Sequence, residues 1–168
     1  MSFHLRFTRR FSMAHRLISG RSELCATPHG HNEFVTVELA PLQADKLDGS
    51  TNMVVEFASA KARWHRFVDE VLDHALQLSS DDPLVAIAAA QFPQWRLVIT
   101  PGDPTTELLA ALLASKCQAI LDDEGLKLRV ERLLLEETPT NTVVVDGDGR
   151  RLLPEKDGWW TRADASAR

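Results

Sequence analysis

Only two cysteines, Cys25 and Cys117, occur in 168 residues, too few for a disulfide framework in a chain of this length. No apolar run approaches the roughly 18 residues of a membrane span. The N-terminus interleaves His4, Arg6, Arg9 and Arg10 with its apolar residues, so it has no continuous hydrophobic core of a leader. Basic clusters are equally scarce. With a formal net charge of -5 and only Arg9-Arg10 and Arg150-Arg151 adjacent, the chain lacks the electrostatic footprint of a nucleic-acid binder. These deficits predict a cytoplasmic protein with neither a membrane nor a nucleic acid as partner.

What is present is concentrated. Of six histidines, three lie between His15 and His31, with Cys25 among them. Phe3, Leu5, Phe7, Phe11, Met13 and His15 share one parity, so a strand over 2–15 would project His15 from its apolar face. His29, His31, Val35, Val37 and Leu39 also share a parity over a second strand, 31–40. Pairing the two as an antiparallel hairpin brings all three imidazoles to one point, with Gly30 leaving the backbone unobstructed. Three neutral imidazoles suit Zn²⁺ with a fourth position open for water or substrate. Cys25 as a fourth ligand would close the site, and spacing alone leaves both arrangements possible. Cys117 falls beside Leu113 and Ile120 on an apolar helix face, the place of a small buried hydrophobe.

A hydrophobic content of 44% supports one globular domain, taken as 1–153 with a polar tail over 154–168 whose last residues, 163–168, are expected to be disordered. Ala60, Trp64, Phe67, Val68, Val71 and Leu72 form one helical stripe, and Asp73-His74 follow at its end. Asp82-Pro83 caps a short helix to Ala90, and 95–100 reads as a short strand or extended connection. Thr105 or Thr106 caps a second long helix that Gly125 ends. Strands follow over 126–137 and 140–146. The predicted architecture is α+β: an antiparallel four-stranded sheet with two main helices on one face, a 79–100 insertion between them, and a second face that needs a partner.

Phe11-Ser-Met-Ala-His15-Arg-Leu, Cys25-Ala-Thr-Pro-His29-Gly-His31, Met53-Val-Val-Glu-Phe57, Leu72-Asp73-His74, Pro104-Thr-Thr-Glu107 and Glu136-Glu137-Thr138 resemble, in order, motifs of the 6-pyruvoyl-tetrahydropterin synthase family. The three residues between Cys25 and His29 look more like its 6-carboxytetrahydropterin synthase branch, which serves queuosine precursor synthesis. The resemblance implies a tunnelling fold whose subunits join their sheets into a barrel, as a hexamer or tetramer with sites at subunit interfaces. It implies turnover of 7,8-dihydroneopterin triphosphate to 6-carboxy-5,6,7,8-tetrahydropterin with release of acetaldehyde and triphosphate. It further implies Zn²⁺ on His15, His29 and His31, Cys25 as catalytic acid or base, Asp73 and His74 as a proton relay supplied by a neighbouring subunit, and Glu137 as the pterin anchor. Triphosphate elimination of the 6-pyruvoyl type and a non-catalytic zinc or pterin-binding module are the competing readings. Three departures stand out: Glu56 where the family commonly has Asp, Gln77-Leu78 in place of Leu-Asn, and a longer 79–100 connection.

Overall fold

Alternation of apolar and polar residues, interrupted at Arg9, marks the first two strands. In the computed structural model, which describes residues 3–20, 22–43 and 46–168, β1 (Leu5–His15) and β2 (His29–Pro41) pair antiparallel with Phe7 opposite Val37 and His15 opposite His29. Ser2, with which the sequence-based strand began, lies outside the described residues. The odd positions of both strands, Leu5, Phe7, Phe11 and Met13 on β1 and Val35 to Leu39 on β2, are buried under the helices, with Arg9 the exposed exception. Gly30 is required by this pairing, because a Cβ there would sit 2.9 Å from the Met13 carbonyl oxygen.

The helix α2 (Phe57–Phe67) buries Ala60, Trp64 and Phe67 and then widens into a π-helical turn, Val68–Leu72, which ends at Asp73. The chain next forms β3 (Ala75–Ser79), α3 (Pro83–Gln91) and β4 (Leu97–Thr100). Asp82 accepts from the Leu84 amide to start α3, with Pro83 in its first turn. The second long helix, α4 (Thr106–Asp123), is capped by Thr105, and Gly125 follows it with φ +67°. The sheet closes with β5 (Leu128–Thr138) and β6 (Asn141–Asp146).

The sheet is six-stranded and mixed, in the order β4-β3-β1-β2-β5-β6, which corrects the four-stranded antiparallel expectation. The 79–100 insertion is the cause. Its helix α3 carries the chain back so that β3 and β4 run parallel, and β3 then adds parallel to the end of β1 over Met13 to His15. A second correction concerns the tail. Ala167 is buried, and its carbonyl accepts from the Ile99 amide (2.9 Å), while Trp159 Nε1 donates to the Ile99 carbonyl (2.8 Å). Lys116, fully buried on α4, donates to the carbonyls of Trp159, Arg162 and Asp164 and so fixes a segment whose composition reads as loose. Among the described residues no helix is long and apolar enough to cross a membrane.

Candidate metal centre and its surroundings

The β1–β2 register alone assembles the imidazoles. His15 ends β1, His29 begins β2 directly opposite, and His31 faces the neighbouring Met13 position on the same side. One ligand atom of each ring lies within 4.8 Å of the others, and ring centroids are 4.6 to 5.2 Å apart.

Backbone carbonyls set the tautomers of two of the rings. His15 Nδ1 donates to the Pro104 carbonyl (3.0 Å) at the entry to α4, and His29 Nδ1 donates to the Thr27 carbonyl (2.9 Å). A carbonyl only accepts, so in the neutral rings both Nε2 atoms carry lone pairs, and these face each other at 3.2 Å. Two opposed lone pairs at that separation call for a cation between them, and Nδ1–H donation to a carbonyl is the usual support of a metal-bound histidine. Burial holds the His15 ring's proton affinity below the ordinary histidine value; the Pro104 carbonyl and Glu137 oppose that shift, and His29 and His31 add to it. The donor set therefore fits a divalent metal.

Cys25 sits in a one-turn helix, α1 (Glu23–Ala26), capped by Ser22, with its carbonyl tied to the Leu17 amide. Its thiol is half-buried but is not one of the converging atoms, so three protein donors remain, the number that leaves a metal open. Asp73 and His74 are brought to each other rather than to the imidazole cluster: His74 Nδ1 donates to Asp73 Oδ2 (2.7 Å), and Asp73 Oδ1 accepts from the Ser12 amide (2.8 Å). Burial pushes the Asp73 carboxyl up, yet the Ser12 amide, His74 and the Arg96 charge outweigh it and leave its pKa below the usual range. The His74 side chain is 78% exposed and shares a concavity of about 370 Å³ with His31, Gly30, Asn32 and Ser12.

Glu137, near the end of β5, accepts a hydrogen bond from the Thr106 hydroxyl (2.6 Å). The two threonines thus divide the labour, Thr105 capping α4 and Thr106 orienting the carboxylate. Glu33 was not foreseen. It is 3% exposed on β2, its Oε2 has no partner, and burial with the nearby Glu137 charge raises its pKa to about 8. Its parity matches that of His31 and Val35, which was the available signal.

A family model described as 6-pyruvoyl tetrahydropterin synthase matches residues 4–148. The 6-carboxy-5,6,7,8-tetrahydropterin synthase of Rickettsia felis is 30% identical over 143 residues, 84% of this chain and 99% of the relative. Among solved structures, an uncharacterized protein from Wolinella succinogenes superposes with a TM-score of 0.69 at 23% identity, covering 87% of this chain and 98% of that one. The Caenorhabditis elegans 6-pyruvoyl tetrahydropterin synthase does so with a TM-score of 0.58 at 21% identity, covering 88% and 96%.

Proposed function

Because the chain belongs to the 6-pyruvoyl tetrahydropterin synthase family, with its α+β tunnelling fold, we propose that it is a zinc-dependent lyase of the 6-carboxytetrahydropterin synthase type. On this reading 7,8-dihydroneopterin triphosphate and one water give 6-carboxy-5,6,7,8-tetrahydropterin, acetaldehyde and triphosphate, a step toward queuosine. The observation that carries it is the convergence of His15, His29 and His31 with two Nε2 lone pairs 3.2 Å apart. Two free thiols suit a reducing, cytoplasmic setting.

His15, His29 and His31 would hold the zinc, which when bound supplies Lewis acidity toward the hydroxyls of the substrate side chain. Glu137 binds the pterin: Thr106 fixes the carboxylate, which accepts the paired N–H donors of the ring edge. Cys25 Sγ moves a proton at the side-chain carbons, and His74 does so at Nε2, because Nδ1 is committed to Asp73. The exposure of His74 supports its delivery to the site of a neighbouring subunit, within an oligomer, hexamer or tetramer, whose sheets join into a barrel.

The test is to incubate zinc-loaded protein with dihydroneopterin triphosphate and identify products by mass. Acetaldehyde with the 6-carboxy product supports the proposal. Triphosphate without acetaldehyde identifies the 6-pyruvoyl chemistry instead, and absence of turnover identifies a binding module.

A further inference from the structure

The 79–100 insertion contributes one side chain that reaches the proposed relay. Arg96 Nη1 donates to the carbonyls of Asp69 (3.1 Å) and Asp73 (2.8 Å), and the Arg96 carbonyl accepts from the Leu76 amide (2.8 Å). The last carbonyls of a helix have no partner within it, and a cation there also complements the helix dipole. Arg96 therefore closes the π-helical turn from its open end and grips Asp73, His74 and Ala75 from both sides.

Such a grip has something to restrain. His74 has φ +62°, a conformation costing about 1–3 kcal/mol for a residue of its size, which persists only where the surroundings impose it. On the sheet side Ser12 imposes it, donating its amide to Asp73 and accepting the His74 amide at its carbonyl (2.7 Å). On the other side Arg96 does. Asp73, His74, Trp95 and Arg96 line one concavity of about 790 Å³, and the contact of Arg96 with this pair is to the backbone, at the Asp73 carbonyl.

The segment that carries Arg96 is bonded to the tail on either side of it, at Trp95 and at Ile99. Arg168 donates to the Trp95 carbonyl (2.9 Å), and residues 165–168 share a cleft with Glu70, Val71 and Arg96. That tail lies beyond the 4–148 span shared with the family.

We propose that Arg96 is a positioning residue for the Asp73–His74 pair, buttressed by the C-terminal tail. The inference rests on the proton-moving role given to His74. In zinc-loaded full-length protein, Arg96→Met is expected to lower kcat by about 10- to 100-fold with KM within about twofold. Millimolar guanidinium should restore part of the loss in Arg96→Ala, since the site of the missing side chain is exposed. A kcat within about twofold of the parent, or a loss of kcat accompanied by loss of zinc, overturns the proposal. A readout independent of turnover is amide hydrogen exchange. The His74 amide should exchange at least about tenfold faster in Arg96→Met while β2 amides hold their rates, and unchanged exchange at His74 overturns the positioning role. Should His74→Ala keep full activity while that exchange quickens, the relay reading fails and the positioning stands.

Discussion

A carboxyl group buried without a partner is the most testable residue of this molecule. Glu33 keeps its proton in the fold up to about pH 8, whereas in the unfolded chain it loses it near pH 4.3. Folding takes up a proton throughout that window, so this group's contribution to stability is full below pH ~4.3 and is lost as pH rises to about 8. Glu33→Gln removes the ionisation. In metal-free protein its urea midpoint should exceed the parent's by a margin that widens between about pH 5 and about pH 8. Parallel curves would show that the carboxyl is not neutral in the fold. The residue also marks how far parity reaches. His15, His29 and His31 were legible because strand faces follow directly from numbering, and Glu33 obeys the same rule. Its chemistry argued for solvent instead, since a glutamate is rarely buried unpaired. The carbonyl partners of His15 and His29 were not legible, because Pro104 lies 89 residues from His15 and a backbone oxygen leaves no mark in sequence.

Elements divide into those set by local signals and those set by packing. Asp82-Pro83 announced α3 and the pair Thr105-Thr106 announced α4, with Thr105 the one that caps, because caps are chosen by the residues beside them. The π-helical turn at Val68–Leu72 carried no such signal; β4 falls within the 95–100 segment read as a short strand or extended connection, whereas the five-residue β3 and the parallel pairing of both strands left no mark in the alternation. Asp82 also does what no cap motif states. Its fully buried carboxylate takes a bidentate pair from Arg16, both bonds 2.6 Å, and so ties the residue after His15 to α3. The Arg16 bond holds the Asp82 carboxyl below its usual range, against the effect of burial. Asp82→Ala strands the guanidinium and removes the cap. An expected cost of about 3 kcal/mol follows, read from urea unfolding near neutral pH. Since a depressed carboxyl contributes above its unfolded value near pH 4 and stops contributing as pH falls through the folded one, the gap between parent and variant should close in acid. Zinc affinity should drop as well, His15 having lost the anchor of its neighbour.

At the scale of the whole molecule the edges of the sheet are not alike. β4 is covered, because the tail's Ala167 carbonyl takes the Ile99 amide, a contact that composition hid since it depends on Lys116 some fifty residues earlier. Among the described residues, the edge of β1 before Met13 and the outer edge of β6 have no strand beside them. Unpaired edges of this kind are templates for another chain. Asp73 and His74 are tied to Ser12, at the end of the open β1 edge, with the imidazole exposed. If copies join along these edges and His74 is delivered to a neighbour's site, as the proposed function has it, each site draws Cys25 from one subunit and His74 from another. Cys25→Ala and His74→Ala should then each be inactive alone yet complement when co-expressed. With random assembly of equal amounts, a site has both intact residues in about one arrangement in four, so activity should recover to about a quarter of the parent's. Tagging the two variants differently and purifying only mixed oligomers measures this directly. Recovery no greater than the background of the separate variants would place Cys25 and His74 in the same chain's site, and the exposed imidazole would need another explanation.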